Sequence, residues 1–268
     1  MKISKLFTTI SLIATLSTSI LLPNSTKAEA QMTYRQINKR PYAVFVNGYM
    51  DCCAWGMNKV KRRLSAMGAE IRDVPWDSFT NRAKQKSMTS NDREFLRQAE
   101  NYINNNLEPN RPLILIGHSF GGDSLLSLAP RIKRRILFLG VIDPVAAGGF
   151  REPIRRRTIP ANVDYFFNRW QSNRLDTDNA VPFDSALNGK VRNCRAQVCD
   201  QKEQNIARRA NGSPIKVSCG SFEVTCPGYQ PWPGGSNGRK QKRLHHNPMP
   251  YDDFIQQQIV DNVRKLLN

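Results

Sequence analysis

Apolar residues fall along the chain in blocks that alternate between strand-like and helix-like spacing. Tyr42-Ala-Val-Phe-Val-Asn47 is a short apolar run of β-forming residues closed by Gly48, which predicts a buried strand ending in a turn. Met57, Val60, Leu64 and Met67 then recur at three and four, and Gly68 stops that helix. Ala69-Glu-Ile-Arg-Asp-Val74, ahead of Pro75, reads as a second strand. A helix capped by Asn91 or Asp92 follows, with Phe95, Ala99, Tyr102 and Ile103 on its apolar face.

Leu113 to Ile116 is a wholly apolar strand running into Gly117, and Ser124 to Ala129 is the helix behind it. Ile136-Leu-Phe-Leu-Gly-Val-Ile142 has the composition of a strand covered on both faces, and Asn162-Val-Asp-Tyr-Phe-Phe167 is a further one. The last helix covers about Asp252 to Leu267, with Phe254, Ile255, Ile259, Val263 and Leu266 along one side. Strands alternating with helices predict an α/β fold, a mostly parallel central sheet with helices on both faces. Residues 171–243 break the rhythm. They are polar, hold four of the six cysteines and include Tyr229-Gln-Pro-Trp-Pro-Gly-Gly235, which excludes a regular helix or central strand. They are expected to form an irregular, disulfide-stapled insertion, either a lid or wall of a cleft or a plain surface excursion.

Chemistry enters at Leu113-Ile-Leu-Ile-Gly-His-Ser-Phe-Gly-Gly122. Gly117-His118-Ser119-Phe120-Gly121 fits G-x-S-x-G, with an apolar strand before it and a helix after it. A serine on that sharp turn is lifted above the carboxyl ends of the strands, so Ser119 is the candidate nucleophile. In Val141-Ile-Asp-Pro-Val145, Asp143 ends the next strand and opens onto the same edge of the sheet. Asp164, Asp176, Asp178 and Asp184 are its rivals: the first lies within a strand, the others in polar loop sequence. Of three histidines, His118 is inside the turn itself, which leaves His245 or His246 as base.

With these residues the chain resembles the α/β-hydrolase family, especially its smaller lipase- and esterase-like members. The resemblance implies the chain order serine, acid, histidine, which Ser119, Asp143 and His246 follow. It favours His246, because His246-Asn-Pro-Met249-Pro-Tyr-Asp252 has the family's spacing from histidine to the final helix and His245 misses by one. It also implies an oxyanion hole from the backbone N–H of Phe120 and a second donor in Asn47-Gly-Tyr-Met-Asp51, assigned to Tyr49 with Met50 as rival. The family often carries His-Gly where this chain has Asn47-Gly48.

Composition adds location and partners. Lys2 and Lys5, an apolar stretch from Leu6 to Leu22 and Ala28-Glu-Ala30 have the layout of a signal peptide over residues 1–30, leaving 31–268 as a secreted or periplasmic domain. Six cysteines (Cys52, Cys53, Cys194, Cys199, Cys219, Cys226) suit disulfides in such a compartment. Cys194/Cys199 and Cys219/Cys226 are close enough for local loops, though fifteen pairings are open. Zinc is disfavoured because no paired C-x-x-C pattern is present. The 268 residues carry 40 Lys+Arg against 22 Asp+Glu, a formal charge of +18. The densest basic runs are Arg131-Ile-Lys-Arg-Arg135, Arg155-Arg-Arg157 and Arg239-Lys-Gln-Lys-Arg243. This field attracts an anionic envelope polymer or membrane surface; no nucleic-acid motif accompanies it.

The function expected is hydrolysis of a carboxylic ester, such as a lipid, without metal or organic cofactor. Phe45, Tyr49, Met50, Trp55, Trp76 and Phe79 are candidates for an acyl site or for core. The alternative is a catalytically idle protein of this fold that binds an anionic polymer or membrane surface.

Overall fold

A computed structural model describes residues 40–48, 54–74, 88–146, 151–173, 189–218, 229–231 and 239–268. The strands are β1 (Tyr42–Val46), β2 (Glu70–Val74), β3 (Leu113–His118), β4 (Ile136–Ile142), β5 (Thr158–Ile159), β6 (Val163–Trp170), β7 (Asn193–Cys194), β8 (Val198–Glu203), β9 (Lys216–Ser218), β10 (Tyr229–Pro231) and β11 (Arg239–Lys242). The helices are α1 (Asn58–Ala66), α2 (Met88–Asn101), α3 (Ser119–Leu128) and α4 (Asp253–Leu267).

Six strands form the central sheet in the order β2-β1-β3-β4-β6-β8, and every neighbouring pair is parallel. Parallel neighbours need crossovers, and a sheet covered by crossover helices must be apolar on both faces. Accordingly every residue of β1, β3 and β4 is buried. On one face Val44, Leu115 and Leu139 pack with Phe95 and Ile103 of the α2 region and Leu125 and Leu128 of α3. On the other, Phe45, Ile116 and Phe138 pack with Val60 and Leu64 of α1 and Ile255 and Ile259 of α4. Phe45 is therefore core rather than acyl-site lining, and Trp55 is largely exposed. Smaller sheets, β5-β7 and β10-β11-β9, lie outside the main one.

Helix ends follow local chemistry. Gly68, at φ +89°, ends the turn after α1 in a backbone region that other residues resist. Asp252 caps α4 by accepting from the N–H groups of Phe254 and Ile255 at 3.1 and 3.0 Å. Helix α2 begins at Met88, a turn earlier than expected, so Asn91 and Asp92 lie within it rather than at its cap. A polar first turn carries no apolar period, so its start is hidden from pattern reading.

The irregular insertion also needs correcting in part. Its Cys194–Cys199 disulfide is present. Residues 198–203, however, are the edge strand of the main sheet, not an excursion from it. Val-Cys-Asp-Gln-Lys-Glu has no apolar face, and none of its residues is fully buried. It is held by polar contacts instead. The fully buried Arg169 of β6 reaches Asp200 at 2.8 Å and lies 3.9 Å over the ring of Phe167. The Tyr165 hydroxyl donates to Asp200 at 3.0 Å, and burial, then the Asp200 carboxylate, push its pKa up to about 12.

The strand order has one consequence for function. From β1 the chain moves outward to β2, then returns past β1 to β3 and continues the other way. The connections leaving β1 and β3 thus diverge, and at such a reversal a crevice opens at the carboxyl ends of the strands. Ser119 is the first residue after β3.

Candidate active site

Three strand ends build the site. The register sets Val46 beside Gly117, Gly117 beside Val141 and Ile142 beside Arg169, so the residues that follow β1, β3, β4 and β6 emerge level with one another. Ser119 follows β3, Asp143 follows β4 and Gln171 follows β6. Both Ser119 (φ +57°) and Asp143 (φ +41°) adopt left-handed backbone. Non-glycine residues resist that region by about 1–3 kcal/mol, and such outliers gather where geometry serves function. Here both lie at the same sheet edge, and the N–H of Val145 donates to the carbonyl of Ser119 at 3.2 Å, tying one turn to the other.

The turn after β3 is possible because of glycine at 121. A Cβ there would run into the carbonyl oxygens of Val46 and Asn47, so α3 could not pack this close to β1. Gly121→Ala is expected to destabilise the fold by about 1–3 kcal/mol, read as a lower midpoint in urea unfolding.

His246 lies between the other two side chains. Its Nε2 is 2.8 Å from Ser119 Oγ, and its Nδ1 is 2.8 Å from Asp143 Oδ2. The carboxylate can only accept, so Nδ1 carries the proton and Nε2 is left to accept from the serine hydroxyl. All three groups are buried, with Ser119 5%, His246 2% and Asp143 0% exposed, so the chain of bonds runs in a low dielectric. It is His246, not His245, that bridges serine and acid. Asp164 is at the opposite end of the sheet, near the start of β6, and pairs with Arg135 at 2.6 Å. Asp176, Asp178 and Asp184 lie outside the described residues. Phe120 is the first residue after the serine in α3 and is buried. Tyr49, Met50, Trp76 and Phe79 lie outside the described residues, as do Cys52, Cys53, Cys219, Cys226 and residues 1–30.

No protein-family model matches the chain, and no curated protein matches it. Among solved structures it is similar to a candidate hydrolase of the alpha/beta superfamily from Xanthomonas campestris pv. campestris. The two are 14% identical, with 61% of this chain and 88% of that one covered and a TM-score of 0.40.

Sequence reasoning missed two supports of the site. Gln171 donates to Asp143 twice, from its backbone N–H to Oδ1 at 3.2 Å and from its amide Nε2 to Oδ2 at 3.3 Å. Its position directly after β6, two residues beyond the partner of Ile142, is the signal that could have found it. Asn173 holds the histidine loop: its amide donates to the carbonyls of Asn205 and Leu244 at 2.8 and 2.9 Å.

His118 is a third support. Its Nε2–H donates to the carbonyl of His246 at 3.1 Å, and the two rings lie 4.5 Å apart. Burial above all, then the nearness of His246, pushes the His118 pKa well below its ordinary value of 6.5. The folded state therefore refuses a proton that the unfolded chain accepts, and stability falls as pH drops below about 6.5. The expected slope from this group is up to about 1.4 kcal/mol per pH unit, and His118→Gln, which still offers a donor, is expected to flatten it. Unfolding midpoints of both proteins between neutral and mildly acidic pH check this.

Proposed function

We propose that the protein is a serine hydrolase that cleaves a carboxylic ester, such as a lipid, through an acyl-enzyme on Ser119. The observation that carries the reading is the unbroken chain of two 2.8 Å hydrogen bonds from Ser119 through His246 to Asp143. His246 Nε2 takes the hydroxyl proton as Ser119 Oγ attacks the acyl carbon, and the imidazolium then gives that proton to the departing alcohol. Asp143 keeps the proton on Nδ1 and stabilises the cation as it forms. A water deprotonated by the same imidazole releases the acid and restores the serine. The oxyanion is assigned to the backbone N–H groups of Phe120 and Tyr49, each worth about 3–4 kcal/mol in such reactions.

The site works outside the cytoplasm in this reading, on the signal-like layout of residues 1–30 and the cysteine content. The positive charge favours a substrate presented on an anionic envelope surface. A fluorophosphonate probe tests the reading. Stoichiometric labelling at Ser119 is expected. A folded protein that resists the probe would overturn the enzyme and leave the idle, polyanion-binding alternative in its place.

A further inference from the structure

Two of the three basic runs converge away from Ser119. Arg131 closes the turn after α3, and Arg151, Arg156 and Arg157 lie on the segment leading to β5. Together they line a cavity of about 420 Å³ beside α3, with Leu96 of α2 and Leu126 of α3 on its apolar side. Leu126 is seven residues along α3 from Ser119, about 10 Å by helical rise, whereas Arg151 in the cavity wall lies 4.8 Å over the ring of Phe120, next to the serine. Its volume falls in the range of small-molecule sites.

The arginines are held in place from behind. Asp123, fully buried in α3, accepts from Arg151 at 2.6 Å and from Arg157 at 2.9 Å. The cavity lining carries four arginines, Arg131, Arg151, Arg156 and Arg157, against the single carboxylate of Glu152. Arg131 pairs with Glu100 at 3.6 Å, and Arg156 is exposed. Glu152 is the one acidic lining residue among those described; it is half-exposed and sits 3.7 Å from Arg157 Nη1. At that distance the pair contributes little and is easily displaced. A guanidinium fork pairs with carboxylate and phosphate alike, but several forks on separate segments can be answered together by the three terminal oxygens of a phosphate, where a carboxylate offers two.

We propose that this cavity is a second binding site, for a small phosphate monoester whose apolar portion rests on Leu96 and Leu126. The phosphate takes the place of the Glu152 carboxylate at Arg157 and is closed over by Arg156 and Arg131. The site does not depend on the chemistry at Ser119.

The test is calorimetric titration of the folded protein with hexyl phosphate, with inorganic phosphate alone and with phosphatidic acid vesicles as separate arms. Hexyl phosphate is expected to bind saturably at one site and more tightly than inorganic phosphate. Arg156→Glu is expected to weaken it about tenfold or more, and Glu152→Gln to tighten it about threefold, because one adds and the other removes a competing negative charge. Neither change touches the buried Asp123 pairs, so both variants should fold. Ser119→Ala is expected to leave the affinity unchanged. No saturable binding of hexyl phosphate up to about 10 mM would overturn the proposal. So would affinity indifferent to both substitutions, or binding to vesicles without binding to hexyl phosphate, which would make the arginines a membrane-contact patch.

Discussion

Ser119→Ala is expected to lower kcat for a short-chain ester by about 10⁶-fold while leaving the fold intact. The size of the loss follows from how the site is wired. The hydroxyl is the only group that the 2.8 Å bond to His246 Nε2 can activate. Without it, His246 can at best activate water from a position set for serine. The fold should survive because the backbone of residue 119 is held by its surroundings. The Ser119 carbonyl accepts from Val145 N–H, and the close approach of Gly121 to β1 fixes the turn. Alanine at φ +57° carries about the same backbone strain as serine, so unfolding free energies should agree within about 0.5 kcal/mol. Hydrolysis by the variant at the wild-type rate would remove Ser119 from the reaction.

The parts of this arrangement legible in the sequence are those that apolar runs dictate. β1, β3 and β4 are buried at every position, so their composition marks the strands, although β3 runs on past its apolar stretch to His118. Ser119 and Asp143 could be placed because each directly follows such a strand. The family resemblance points to His246 through its spacing to the last helix, which Asp252 caps. The rest has no periodic signature. β8 joins the sheet through Arg169 and Asp200, a pairing between residues that look in sequence like ordinary surface charges. Gln171 stands in polar sequence and acquires its role from strand register alone. The Asp123 pairs with Arg151 and Arg157 are of the same kind: the carboxylate lies in the first half of α3, and the arginines are about thirty residues further on. Apolar burial declares itself locally, whereas a buried polar contact needs its distant partner to be recognised.

Asp143→Asn carries the second large effect, and its hydrogen bonds give the reason. Oδ1 accepts from the backbone N–H of Gln171, a donor that cannot turn around. Oδ2 accepts from Gln171 Nε2 and faces His246 Nδ1. An asparagine that keeps its oxygen at that backbone N–H points its NH₂ group at His246. The Gln171 amide is held by its own Oε1, which accepts from the Asn173 backbone N–H at 2.8 Å, and the imidazole can answer an N–H donor only by giving up its Nδ1 proton. The proton then sits on Nε2, where it meets the serine hydroxyl and cannot accept from it. The substitution preserves shape and reverses the tautomer, so kcat is expected to fall about 10⁴-fold at neutral pH with KM little changed. Raising the pH should recover part of the rate, because hydroxide can take over the serine proton. A D143N enzyme within about tenfold of wild type at pH 7, still labelled at Ser119, would show that Asp143 does not set the tautomer and that the acid of this site is another residue.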